Sequence, residues 1–461
     1  MGAGLVHEAR RLLSLRRTAL TGNVAALTVA LISLSLATLM VARIGGPSAV
    51  GDYALLRVMP WLLAVMVSGG LAAATPWFLA GPTKDDPRVK TTLLAIGAAS
   101  SVASLLIWLA AAPLLKDLFL RDLTTLIVAW AGLKTISRLF VITAKAASQG
   151  TGDLRGTNYA IALEELLFIP GYAVALLLGA NGGAAVVAAL IAADVVTGAV
   201  AWRRLLGRHY FAGVGRPSFE LAKRVYVFGL RGQVGSIMYL VNLRLDFMIV
   251  DLLAGPAILG IYAVASKFAE LVRLLPISFE WVLYPRFAGK TATDAWSWAA
   301  WLAPRAAAAT ALAALPLAVL ASPVIPLFYG GAFVGAVEPT RLLLIGLSVE
   351  GASGVVTAYL FGRGRPGLNS LATLGGVIVT VLLDFLLIPR YQLVGAALAS
   401  TAAYLTTTSL LGLCFLLMQP RSADRVMDVG DPIPPGRFRR SLDIVVSGSS
   451  LNSITNGATP Q

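Results

Sequence analysis

Runs of predominantly apolar residues, each near the roughly 20 needed to cross a bilayer as a helix, divide almost the whole chain. Twelve are counted, at about 18–42, 52–80, 91–114, 122–145, 158–179, 183–202, 225–252, 257–285, 298–321, 341–361, 368–388 and 393–418. Of the 461 residues, 13% are charged, against about 25% in a soluble domain. The pattern predicts an all-α integral membrane protein with twelve transmembrane helices. Residues 1–17 are basic and run straight into a stretch long enough to span, with no small-residue cleavage site, so the first helix is expected to be retained. Residues 419–461 turn to Ser, Gly, Pro and Asn and are expected to be a disordered tail.

The runs are not independent of one another. Pro47, Gly51, Tyr53, Pro76 and Phe78 recur 209 positions later as Pro256, Gly260, Tyr262, Pro285 and Phe287. Ala146, Gly150, Gly152 and the Gly183-Ala184-Ala185 triplet recur at an offset of 212, as Ala358, Gly362, Gly364 and Gly395-Ala396-Ala397. A near-constant offset means an internal duplication. Two parallel six-helix repeats follow, 18–202 and 225–418, joined by a basic linker at 203–224. Parallel repeats are related by an axis along the membrane normal, with substrate sites between them.

Lys and Arg placement sets the orientation. With the N-terminus in the cytoplasm, the inner segments hold 24 basic residues, Arg203 to Arg224 among them. The outer segments hold four, Arg43, Lys116, Arg121 and Arg390. Both termini are therefore expected in the cytoplasm of a multi-pass plasma-membrane protein. The same placement accounts for the formal charge of +14 without nucleic acid, which is not expected as a partner.

Catalytic and cofactor patterns are poor. His7 and His209 have no Cys or carboxylate cluster beside them, and no metal-ligand spacing occurs. Gly289-Lys290-Thr291 ends like a phosphate loop, but the first Gly of that motif would fall at Tyr284. Cys414 is the single cysteine, so no intrachain disulfide forms. Neither a metal nor an organic cofactor is expected, no outer loop is large enough for an enzyme site, and transport is left.

Charges inside spans cost about 2.5–3.5 kcal/mol each and need a partner or a wet cavity. Arg57, Arg231, Arg244, Lys267 and Arg273 are the candidate cations for an anionic substrate. Arg231 lies near the cytoplasmic end of its span, where snorkelling is the alternative; Arg244 lies roughly 12 Å from the outer end at 1.5 Å per residue, within reach of snorkelling but expected to face a cavity. Lys267, Glu270 and Arg273, spaced i, i+3, i+6, read equally as an ion-pair ladder within one helix. Arg57 repeats one residue from Lys267, which predicts two cations at similar depth across a central cleft. Asp246, Glu270, Glu350 and Asp384 are candidate counter-ions or coupling sites for H+ or Na+, as Glu164 and Glu165 are for Arg side chains. Lys134 and Arg138 are expected to line a surface rather than to bind. Pro60, Pro76, Pro276 and Pro285 are expected to kink spans 2 and 8.

Arg244-Leu-Asp246, Gly255-Pro256-x3-Gly260-Ile261-Tyr262, Leu275-Pro276, Tyr284-Pro285-Arg286-Phe287 and Leu386-Leu-Ile-Pro389-Arg390-Tyr391 resemble the polysaccharide flippase family. That family belongs to the multidrug/oligosaccharidyl-lipid/polysaccharide exporter superfamily. The likeness covers about residues 15 to 418. It implies two six-helix lobes in a V around a central cavity. It further implies movement of an undecaprenyl-pyrophosphate-linked oligosaccharide to the outer leaflet of a bacterial plasma membrane by alternating access. Cavity cations would meet the pyrophosphate, an ion gradient would reset the cycle, and the protein would act as a monomer near a glycan polymerase or other assembly proteins. Members often carry Asn before the Leu-Ile-Pro motif, where this chain has Asp384. Three other readings stand beside this one: an ion-coupled drug exporter of the same architecture, which would want an acidic cleft; a major facilitator, whose loop signature Gly81 to Arg88 lacks; and a membrane polymerase or ligase of lipid-linked glycans.

Overall fold

The computed structural model describes residues 2–81 and 83–420, with the backbone alone at 2–21, 24, 231–243, 281 and 285. The Arg231 side chain and the tail beyond Pro420 thus lie outside the described residues. Among those described, the chain is all helical and holds no strand. The N-terminal half comprises α1 (Gly2–Val67), α2 (Leu71–Ala80), α3 (Arg88–Leu118), α4 (Thr125–Ala131), α5 (Leu133–Gly150), α6 (Leu154–Leu166), α7 (Phe168–Leu177) and α8 (Gly182–Gly207). The C-terminal half comprises α9 (Phe219–Ala254), α10 (Pro256–Ala269), α11 (Leu274–Ala288), α12 (Ala292–Tyr329), α13 (Val337–Ser348), α14 (Glu350–Gly362) and α15 (Pro366–Leu417). A 3₁₀ turn at Glu270–Arg273 links α10 to α11, and another at Gly331–Ala336 leads into α13.

Eight stretches among the described residues are long and apolar enough to cross a membrane, and the protein is a multi-pass membrane protein. Two of these stretches contain a backbone break. Gly46 interrupts α1 at φ 70°, ψ −165°, a region open to glycine alone. Gln392 interrupts α15 at φ 46°. The α9 and α10–α11 rods are not among the eight. They carry Arg244, Asp246, Lys267, Glu270 and Arg273, and α9 is described by its backbone alone over 231–243.

The expected proline kinks form in part. Pro60 leaves α1 unbroken, and the break between α1 and α2 falls at Gly69 and Gly70, both at positive φ. The 3₁₀ turn at Glu270–Arg273 sits just before Pro276. Its placement follows from the proline ring, which crowds the carbonyl four residues back and forbids a regular α turn there.

The halves share one core at the end bearing the Gly-Pro turns, where Tyr53, Phe168, Tyr262 and Phe333 are buried in a single cluster. At the opposite, basic end the apolar clusters divide. One, around Phe287, Tyr359 and Phe415, draws on the C-terminal half alone. Another, around Leu71, Phe78 and Tyr210, draws on the N-terminal half and the start of α9.

The shared end rests on two glycines at equivalent repeat positions. A Cβ on Gly51 would lie 2.0 Å from the Pro256 carbonyl oxygen, and one on Gly260 would lie 1.8 Å from that of Pro47. Two arginines of the N-terminal half close the same seam. Arg43 donates to the carbonyls of Leu327 and Phe328 in the last turn of α12. Arg121 donates to the Leu252 carbonyl at the end of α9, at 3.0 Å. Each places a cation at a helix C-terminus, where unpaired carbonyls and the dipole favour it.

At the basic end a second glycine contact joins α2 to α9. A Cβ on Gly70 would meet the Gly229 carbonyl oxygen at 2.2 Å, and one on Gly229 would meet that of Gly69 at 2.4 Å. On the other flank α1 and α11 do not close. An apolar groove of about 500 Å³ lies between Leu27, Leu31, Ile32 and Leu36 on one side and Leu271, Leu274, Ile277 and Val282 on the other.

The glycine contacts make a direct prediction. Gly260→Ala has no room to relax against backbone and is expected to cost about 1–3 kcal/mol, read as a lower melting temperature of the purified protein. Gly412→Ala, with nothing within 4 Å of the added methyl, is expected to leave the melting temperature unchanged or raised.

Candidate functional site: a cationic cavity between the halves

A cavity of about 260 Å³ lies between the halves below the shared core, lined by α1, α5, α6, α7, α8, α9 and α10. Its charged lining is Arg57, Lys134, Arg138, Arg244 and Lys267 against Glu164, Glu165 and Asp194, an excess of two positive charges with all eight ionised. It shares Trp61 and Arg138 with a larger cavity of about 740 Å³, lined by Lys145, Gln149, Thr157 and Asn158 towards the basic end. That cavity in turn shares Asn23 and Leu27 with the apolar groove between α1 and α11. Polar chamber and apolar groove are therefore neighbours that share lining residues.

Most of the cavity cations are spoken for. Arg57 makes a two-pronged ion pair with Glu165, one arm at 2.6 Å, and donates to the Tyr53 hydroxyl at 3.2 Å. Lys134 meets Asp194 at 2.6 Å, and Arg138 pairs with Glu164, which also takes Lys145 at 3.0 Å. Arg244 lies 3.3 Å from Glu270. Lys267 differs. Among the described residues it makes no ion pair; it donates to the Thr38 hydroxyl and stands 5.3 Å from the Tyr53 ring centre. Arg57 and Arg244 are within electrostatic range of it, as are their carboxylate partners Glu165 and Glu270. Three cations and two carboxylates thus meet around Lys267, a net positive set in which an added anion would relieve the repulsion among the cations.

The structure brings Arg57, Arg244 and Lys267 to this cavity and takes Arg273 elsewhere. Arg273 holds Glu350 through two hydrogen bonds, at 3.0 and 2.7 Å, tying the 3₁₀ turn to the start of α14. The ladder Lys267, Glu270, Arg273 does not form, because each side chain reaches a different helix: α1, α9 and α14 respectively. Lys134 and Arg138, expected to line a surface, are instead buried in the cavity wall. Their signal was present in the sequence. Lys134, Arg138 and Lys145 are spaced by four and seven, which puts three cations on one face of α5.

A second polar cluster lies within the C-terminal half. The Tyr262 hydroxyl donates to Asp246 at 2.9 Å and lies 2.8 Å from the Ser400 hydroxyl. Asp384 is fully buried, with neither carboxyl oxygen partnered among the described residues, in electrostatic range of Asp246. A buried carboxylate with no donor is costly unless it is neutral or holds a cation. In the loop before α6, outside the membrane, Asp153 accepts from Arg204, which holds its carboxyl below the usual range.

Removing one partner of an enclosed ion pair leaves the other uncompensated. Arg273→Ala and Glu350→Ala are each expected to destabilise by on the order of 3 kcal/mol, read as loss of monodisperse protein on heating. The double substitution Arg273→Met with Glu350→Leu is expected to recover most of that loss.

No curated protein matches the sequence. Solved structures do match, with the fold of membrane transporters. An inward-facing multidrug resistance MATE family transporter of the MOP superfamily aligns with TM-score 0.70 at 14% identity, covering 87% of this chain and 99% of that one. The lipid II flippase MurJ, in an inward closed conformation, aligns with TM-score 0.65 at 13% identity, covering 93% and 95%. The MATE multidrug transporter DinF-BH aligns with TM-score 0.63 at 14% identity, covering 87% and 94%. The family model described as polysaccharide biosynthesis protein matches residues 40–338, and the chain belongs to that family.

Proposed function

We propose that the protein is a flippase that moves an undecaprenyl-pyrophosphate-linked oligosaccharide from the cytoplasmic to the outer leaflet of a bacterial plasma membrane by alternating access. The observation that carries this reading is that a cationic chamber neighbours, through shared lining residues, an apolar groove between α1 and α11. A lipid-linked anion has those two parts. Its pyrophosphate would sit among Arg57, Arg244 and Lys267, met by bidentate guanidinium groups and a point charge. Its sugars would fill the polar chamber beside Trp61 and Asn158, and its polyprenyl chain would stay in the groove in contact with the bilayer.

In this reading the bends at Gly46 and Gln392 are turns between consecutive spans. With α9 and the α10–α11 rod counted, the chain crosses twelve times in two lobes of six, about 18–202 and 225–418, with both termini in the cytoplasm. The seam at the Gly-Pro turns then closes the outer side, and the halves part towards the cytoplasm. The protein works as a monomer that hands its cargo to a glycan polymerase or other assembly proteins.

The drug-exporter reading is supported by the MATE folds but meets an obstacle in the cavity. Each cavity carboxylate, Glu164, Glu165 and Asp194, is already ion-paired, so a cationic drug would have to compete with Arg or Lys for it. Lys267→Ala is expected to lower transport of the lipid-linked oligosaccharide in proteoliposomes at least tenfold at unchanged protein insertion, with Lys267→Arg retaining most of it. Undiminished transport by Lys267→Ala would remove the basis for an anionic substrate.

The cluster of Asp246, Tyr262, Ser400 and Asp384 supports coupling to H+ or Na+. An ion bound there would neutralise the unpartnered Asp384 and bias the packing of α9, α10 and α15. Asp384→Asn is expected to remain folded and to abolish the acceleration of transport by an imposed proton or sodium gradient. Full gradient dependence in that variant would exclude the cluster as the coupling site.

A further inference from the structure

The seam at the Gly-Pro turns contains acidic residues that none of the interactions above employs. Asp52 follows Gly51 directly, and Asp251 lies four residues before Gly255, so the two come from opposite halves of the chain. Asp52 is 6% exposed and Asp251 1% exposed. Among the described residues, one carboxyl oxygen of Asp52 and both of Asp251 are buried without a hydrogen-bond partner. Asp251 lies within electrostatic range of Asp52 and of Asp122, and Asp122 within range of Asp52.

The surroundings offer little compensation. Arg121, also in range of Asp251, spends its guanidinium on the carbonyls of Leu118 and Leu252. Arg43 is engaged with the end of α12. Lys116 pairs with its neighbour Asp117 at 3.5 Å. The Arg390 side chain, at the bend of α15, is exposed. Helices α4 and α7 carry no charged side chain, nor does α10 before Lys267. Among the described residues no group of three His, Cys, Asp or Glu is placed to hold a metal ion. Two buried carboxyls in electrostatic range of each other, with three of their four oxygens lacking a hydrogen-bond partner among the described residues, are costly to ionise together.

We propose that Asp52 and Asp251 form a proton-binding site in the seam, which is protonated when the seam is closed and releases its proton when the halves part there. The glycine contacts set the geometry, because carbonyl-to-Cα packing at Gly51 and Gly260 holds together the helix ends on which the two acids are buried. Opening wets both carboxyls and lets them ionise, and their repulsion then resists reclosure. The closed seam therefore binds more protons than the open one, so closure strengthens as pH falls and weakens as pH rises. This site is separate from the Asp246–Asp384 cluster and does not depend on what the cavity carries.

The test uses the full-length protein in lipid nanodiscs with Cys414→Ser. Spin labels go on Leu126→Cys and Val334→Cys, exposed positions on opposite halves. Pulsed electron paramagnetic resonance then gives the ratio of closed to open seam between pH 5 and 8. In the parent chain that ratio is expected to rise by up to about tenfold per unit fall in pH for each proton bound. In Asp52→Asn with Asp251→Asn, which mimics the protonated pair, the seam is expected to stay closed and to vary less than about twofold over the range. If the double variant does not fold, each single variant is expected to move the transition to lower pH. A flat ratio in the parent chain, a curve that persists unchanged in the variants, or a dependence on Na+ at fixed pH overturns the proposal.

Discussion

Two missing side chains hold the molecule together. Because Gly51 and Gly260 lack a Cβ, each half can press its Gly-Pro turn against the proline carbonyl of the other. That approach buries Tyr53 and Tyr262, each two residues further along its helix. The two tyrosines occupy equivalent positions and serve opposite chemistries. The Tyr53 hydroxyl accepts from Arg57 at the cationic cavity, whereas the Tyr262 hydroxyl donates to Asp246 in the acidic cluster. A symmetric contact between backbones thus supports an asymmetric distribution of charge.

Burying so many ionised groups is tolerable because nearly all are paired locally. Glu165, Glu164, Asp194, Glu270 and Glu350 neutralise Arg57, Arg138, Lys134, Arg244 and Arg273. The pairs fix side chains that would otherwise be long and mobile, and they leave Lys267 as the point where positive potential is least compensated. On the proposed reading such a site favours an anion that can share Arg57 and Arg244 with their existing partners, and a cation would have to compete with Arg or Lys for each carboxylate.

Much of the fold was legible in the sequence, because apolar length and a constant repeat offset are direct consequences of the bilayer and of duplication. The Gly-Pro turns were visible as markers, but their mutual contact was not, since an offset does not say which copies touch. The site was legible in part. Arg57 and Lys267 followed from the repeat register. Arg273 was misplaced because the 3₁₀ turn before Pro276 rotates it away from Lys267 and towards Glu350. Lys134 and Arg138 were passed over because a cation near a span end snorkels by default, and sequence spacing alone does not reveal the opposing Asp194 and Glu164. Asp52 and Asp251 were invisible for a related reason. Each sits at a helix end, where an acid is ordinarily solvated, and only the packing of the two halves shows both enclosed.

The central claim is that one ligand spans the cationic chamber and the lateral groove. Electron cryo-microscopy of the protein with a bound lipid-linked oligosaccharide pyrophosphate tests it most directly. The account predicts pyrophosphate density among Arg57, Arg244 and Lys267, continuous with a hydrocarbon chain lying between Leu31 and Leu274. A pyrophosphate bound away from these residues, or a polyprenyl chain lodged elsewhere with the groove holding only bulk lipid, would contradict it.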